Sequence, residues 1–106
     1  MSHRPRVSFI GGAERMEPDL LALGDELGID VEFHGGHTRG TGSARLASLV
    51  QRTNLLVIIT GTNSHNAVHV AKRTANRHGI PVRILRACGV GTARALLAEV
   101  ARAAGF

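Results

Sequence analysis

Leu55-Leu56-Val57-Ile58-Ile59, followed by Thr60-Gly61-Thr62-Asn63-Ser64-His65, is the stretch from which the fold can be read. Five apolar residues in a row, without polar alternation, describe a strand covered on both faces, as in the middle of a parallel sheet. The glycine and serine that follow predict a turn into a helix capped by Ser64 and running to about His78, where Gly79 stops it. The same alternation recurs on both sides. Upstream, Val7-Ser8-Phe9-Ile10 reads as a strand ended by Gly11-Gly12. Pro18 then stands at a first helical position ahead of Leu20, Leu21, Leu23 and Leu27, with Gly28 as the stop. Ile29 to His34 is a second strand closed by Gly35-Gly36, and Ser43 opens a helix whose Leu46, Leu49 and Val50 recur at helical spacing. Downstream, Pro81 introduces a strand from Val82 to Arg86. Thr92 to Ala104 forms the last helix, with Leu96, Leu97 and Val100 on its inner face.

The order βαβαβαβα requires right-handed crossovers and a parallel sheet. The expectation is an α/β protein with a small, doubly wound, four-stranded parallel sheet, strand order 2-1-3-4 and helices on both faces, Rossmann- or flavodoxin-like. Residues 1–106 are expected to form a single domain, because a chain of 106 residues suffices for one core and is too short for two. In such sheets a ligand sits beyond the carboxyl ends of the strands where the winding reverses, here between the first and third strands. Every strand runs into glycine at that edge: Gly11 and Gly12, Gly35 and Gly36, Gly61, and Gly89 with Gly91.

The composition, 43% apolar and 20% charged, excludes a disordered or fibrous chain. The longest apolar run, Leu55 to Ile59, is far below the ~20 residues of a membrane span, and Met1 to Arg6 leads into no cleavable hydrophobic segment. A cytoplasmic protein without membrane contacts is expected, and the single cysteine, Cys88, agrees with a reducing compartment. Charge is unevenly distributed. Residues 1–32 carry three arginines against seven acids, net −4, whereas residues 33–106 carry ten Lys and Arg against Glu99 alone, net +9. A basic segment of this kind attracts nucleic acid, nucleotide phosphates or the carboxylates of a cofactor, or pairs with the acidic part of a second copy. With three Phe and no Trp or Tyr, a platform that stacks successive bases is not expected, so nucleic acid ranks last.

His34 and His37 flank the glycines after the second strand, and His65 opens the third helix, all on the expected crevice edge. His65 and His69 share a helix face with Lys72 and Arg73 one turn on. An H-x-x-x-H pair can hold a transition metal, but Asn66 stands where a zinc hydrolase carries its Glu. The turns into the third and last helices, Gly61 to His65 and Cys88 to Thr92, present helix N-termini that suit an anion without matching a P-loop or a dinucleotide fingerprint. Cys88 is open to two readings, a small buried residue or a low-pKa thiol at a helix start. A Ser64 nucleophile with His65 as base is disfavoured, since adjacent side chains at a helix start diverge.

Phe9-Ile10-Gly11-Gly12, His34-Gly35-Gly36, Ser64-His65-Asn66-Ala67 and Lys72-Arg73 together resemble the bacterial family known as domain of unknown function 2325, over nearly the whole chain. The resemblance implies a compact α/β domain with a shared site around His65 and supplies no reaction. Many relatives have an Asp in the loop after the second strand and a Cys on the third helix, where this chain offers His37 and Ala75.

The functional expectation is a cofactor-binding protein, with haem the first choice. His65 would ligate the iron, with His34 or His37 as second choices, and Lys72, Arg73 and Arg86 would meet the propionates. The residues of this site are Gly11, Gly12, His34, Gly35, Gly36, Ser64, His65, Lys72, Arg73 and Arg86. An open position on iron would allow oxygen binding or oxygenation, and a homodimer would enclose the cofactor more fully. The alternative, from a different class, is a non-catalytic module binding a nucleotide or phosphorylated metabolite, with the helix starts at Ser64 and Thr92 on the phosphates.

Overall fold

The central strand is where the sequence puts it. In the computed structural model, which describes residues 4–61 and 63–104, β3 spans Leu55–Ile59. It lies between β1 (Arg6–Ile10) and β4 (Val82–Leu85), with β2 (Asp30–His34) outside β1. All pairings are parallel and the order is β2-β1-β3-β4. Among the described residues four α-helices join them: α1 (Glu17–Leu27), α2 (Gly42–Gln51), α3 (His65–Arg77) and α4 (Val90–Ala103). A 3-10 turn at Glu14–Met16 precedes α1 and has no sequence expectation behind it.

The alternation of side chains along β3 explains why its sequence shows no polar residue. Val57 and Ile59 enter one core with Val7, Phe9, Leu20, Leu23, Leu96 and Leu97, under α1 and α4. Leu56 and Ile58 enter a second core with Ile10, Leu46, Val50, Ala67, Ala71 and Ala75, under α2 and α3. Helices therefore cover both faces, and the doubly wound arrangement follows. The small alanines of α3 let that helix sit close to the sheet. Gly24 does the same for α1, since a Cβ there would come within 2.6 Å of the Ile29 carbonyl and of Val31.

One polar residue interrupts β1. Ser8 is fully buried on the α2 side, where its hydroxyl is hydrogen-bonded to that of Thr53, which donates in turn to the Leu49 carbonyl at 2.7 Å. The pair is thus satisfied without water, as a buried hydroxyl requires.

The uneven charge of the sequence is partly resolved within the chain. Arg4 pairs with Asp25 and Asp30, Arg6 with Asp30, Arg52 with Glu32, Arg94 with Glu26 and Arg83 with Glu99. These pairs are half exposed, each worth little individually, but they fix where charge remains. Among the described residues, Lys72, Arg73 and Arg77 of α3 belong to no ion pair. Among the described residues, no helix is long and apolar enough to cross a membrane.

Candidate functional site

At the carboxyl edge of the sheet, the gap between β1 and β3 is bridged by the chain itself. The Asn63 carboxamide donates to the Ile10 carbonyl at 3.1 Å and to the Ile59 carbonyl at 3.0 Å, so one side chain ties the two strand ends together. Its oxygen accepts the Ser64 amide at 2.9 Å, and that amide also reaches the Gly36 carbonyl at 3.3 Å. Both donors and the acceptor of the carboxamide are in use, which is the full complement that one amide offers in this geometry.

The glycines serve this clamp. Gly11 and Gly12 have φ of 87° and 90°, and the Gly11 amide donates to the His34 carbonyl at 2.8 Å, joining the ends of β1 and β2. Gly36 has φ of 83°, and a Cβ on it would overlap Asn63 Oδ1 and lie 3.3 Å from Gly11 Cα. The bare backbone expected from the sequence as room for a bound group is here approached by Asn63 and by neighbouring turns. Gly35 is close to Glu14, whose Oε1 would be 3.1 Å from an added Cβ. Gly61 is hydrogen-bonded to the Arg86 carbonyl at 2.9 Å, while Thr62 lies outside the described residues.

The histidines and cations fall into two sets. Beside α3, Thr60, Asn63, Ser64, His65, Val68, His69 and Lys72 line an open groove of about 420 Å³. His65, His69 and Lys72 are four and then three residues apart, which aligns them along one side of the helix. Ser64 is the N-cap, its hydroxyl accepting the Ala67 amide at 3.0 Å, so it is a structural cap rather than a nucleophile. By position, the amides of His65 and Asn66 have no helical acceptor and face the positive end of the dipole. Arg73 is exposed on α3 beside the groove without lining it, and Arg86 is exposed beyond Gly61.

His34 and His37 form the second set, with ring centroids 4.9 Å apart. His34 Nδ1 accepts the Gly36 amide at 3.0 Å, so in the neutral ring the proton sits on Nε2, which is buried without a hydrogen-bond partner. A ligating histidine usually donates its second ring nitrogen to an acceptor; His34 has the opposite polarity, which favours a structural role for it. Burial, then the neighbouring His37 charge and that of Arg45, hold His34 below the usual histidine pKa, with the Gly42 backbone acting against the shift. The unfolded chain therefore binds a proton here more readily than the folded one, and stability conferred by neutral His34 is present above about pH 6.5 and lost as pH falls through the lower folded value. Urea unfolding midpoints measured between about pH 5 and 8 should fall on the acid side. His34→Asn, which retains an acceptor for Gly36, should flatten that fall; an unchanged pH profile in the variant would remove His34 from the account.

The low-pKa reading of Cys88 is not supported: burial raises its pKa, and the thiol sits at an apolar pocket with Phe9, Met16, Leu20, Phe33 and Ile59. Among the described residues, no three His, Cys, Asp or Glu side chains come together in a group able to hold a metal ion. Sequence reasoning missed Asn63, which was read only as part of an anion-binding turn, and Thr38, whose hydroxyl accepts from Asn66 at 2.9 Å and links the α3 start to the loop before α2.

No curated protein matches the chain. The profile described as "Uncharacterized protein conserved in bacteria (DUF2325)" matches residues 6–100. With that match covering nearly all of its 106 residues, and with the glycine turns, Ser64-His65 and Lys72-Arg73 in place, the chain belongs to the DUF2325 family.

Proposed function

We propose that this protein binds an anionic small molecule bearing phosphate in the groove beside α3, as a cytoplasmic, non-catalytic module. The observation that carries the reading is the lining itself: two imidazoles, one ammonium and two hydroxyls, set at a helix start beside the Asn63 carboxamide that the clamp already engages, with Val68 the one hydrocarbon side chain among the described lining residues. A phosphate would take the His65 and Asn66 amides and the Lys72 charge, the combination that fixes oxyanions at helix starts.

Haem, the first choice from the sequence, is the second reading here: His65, the ligand expected from the sequence, or His69 beside it in place of His34 and His37, could ligate iron through an imidazole, with Lys72 and Arg73 for its carboxylates. It asks for more than the groove offers, because the porphyrin faces need apolar cover that Val68 alone does not provide. A second copy across the β4 edge, where Ile84 is 50% exposed, would have to supply it. Oxygen binding or oxygenation belongs to this reading only.

A thermal-shift series with nucleotides, sugar phosphates and haemin separates the two. For a phosphate ligand at ~100 times its Kd, stabilisation of about 2.7 kcal/mol is expected, reduced by Lys72→Ala and His65→Ala. No stabilisation by any phosphate compound at about millimolar concentration, together with a Soret band that appears with haemin and is lost in His65→Ala, would transfer the site to haem.

A further inference from the structure

We propose that the outer face of α3 is a docking surface for duplex nucleic acid, gripping the phosphate backbone through Arg73 and Arg77 together with Lys72. This goes beyond the small-anion reading, and its principal residues, Arg73 and Arg77, are not among those lining the groove.

Three observations converge. The first is the segregation of charge. Between residues 33 and 98 the sequence contains no Asp or Glu, and α2 and α3 both fall within that interval. Four of the seven acids of the first third, Asp25, Glu26, Asp30 and Glu32, are paired with Arg4, Arg6, Arg52 and Arg94, and no carboxylate of α2, α3 or the loop between β2 and α2 offsets the α3 cations.

The second is the composition of the exposed face. The apolar side of α3, Ala67, Val70, Ala71 and Ala75, is buried against the sheet. What faces water is His65, Asn66, His69, Lys72, Arg73, Asn76 and Arg77, all hydrogen-bond donors. A helix face with no external partner ordinarily mixes signs in i, i+4 pairs, whereas here Arg73 and Arg77 stand four apart with like charge. Among the described residues no carboxylate pairs with either arginine, and a polyanion outside the chain would relieve that repulsion. Exposed Arg39 and Arg45 extend the basic area beyond the Thr38–Asn66 link.

The third is shape. At 1.5 Å per residue Lys72, Arg73 and Arg77 lie within about 7.5 Å of helix rise, the length of roughly two phosphate steps along one strand of a duplex. The scarcity of aromatic residues in the sequence, which ranked nucleic acid last, bears only on stacked single strands. The absence of exposed Leu, Ile, Phe or Trp on α3 removes insertion into a lipid surface.

Fluorescence anisotropy of the full chain with a mixed-sequence duplex of about 20 base pairs tests the proposal. Binding at low salt in the micromolar range is expected, with log Kd varying against log salt with a slope of about 3 if the three α3 cations each displace a counterion. Arg73→Glu/Arg77→Glu, checked for unchanged thermal midpoint, should weaken duplex binding at least ~10-fold while leaving phosphate-compound binding in the groove intact; Lys72→Ala should impair the latter. Duplex binding that is absent at ~50 mM salt, insensitive to the double charge reversal, or matched by equal binding to anionic phosphatidylserine vesicles would overturn it. A duplex result of either kind leaves the groove reading standing or falling on its own titration.

Discussion

Asn63→Asp is expected to destabilise the fold by about 3–5 kcal/mol near neutral pH, a large share of the ~5–15 kcal/mol that holds a domain together. The substitution is nearly isosteric, so the loss comes from polarity alone. In place of an NH₂ that donates to the Ile10 and Ile59 carbonyls, a carboxylate oxygen would face two carbonyl oxygens at the distance of a hydrogen bond. Both carbonyls would lose their donor and face a part-buried charge, a repulsion that the Ser64 amide, still donating to the other oxygen, offsets only in part. The pH dependence has a definite sign. In the variant the folded-state carboxyl is driven above its ordinary value, so the variant is most nearly normal below that value and loses stability as pH rises through the shifted one. Chemical denaturation of wild type and variant at acid and neutral pH reads this directly. Equal midpoints at neutral pH would mean that the carboxamide does not bridge the strands.

Gly36→Ala is the second large effect, expected at about 2–4 kcal/mol. Two causes act together: a φ of 83° that disfavours any Cβ, and an overlap of that Cβ with Asn63 Oδ1. They separate in a double-mutant cycle. In an Asn63→Ala background the overlap is gone, leaving the backbone cost of about 1–2 kcal/mol and the 3.3 Å approach to Gly11 Cα, so the two substitutions are less than additive. Additive losses would show that Gly36 is required for its dihedral angles and not for the closeness of Asn63.

Much of the fold was legible because local signals and burial agreed. Leu55 to Ile59 matches β3 end to end, Ser64 is the α3 cap, and Gly28, with φ of 74°, ends α1. Boundaries moved where the cap was a weak signal. The last helix begins at Val90 instead of Thr92, with Gly89 as its N-cap, and β4 ends at Leu85 instead of Arg86. The clamp was illegible for a physical reason: Asn63 bonds a carbonyl 53 residues away, and no spacing rule announces a contact of that length. The distribution of charge was legible and its resolution was not, since Arg94 meets Glu26 across 68 residues. The histidines were placed on the right edge of the sheet, but the polarity of His34, an acceptor toward Gly36, depends on the curl of one loop.

The residue that latches two strand tips stands immediately before the one that starts α3, and the same backbone amide joins both to the loop after β2. Occupancy of the helix start therefore has a mechanical echo. A guest pulling on the first turn would slow deuterium uptake at Gly11 and Gly36, on the other side of the latch, without any rearrangement of the sheet.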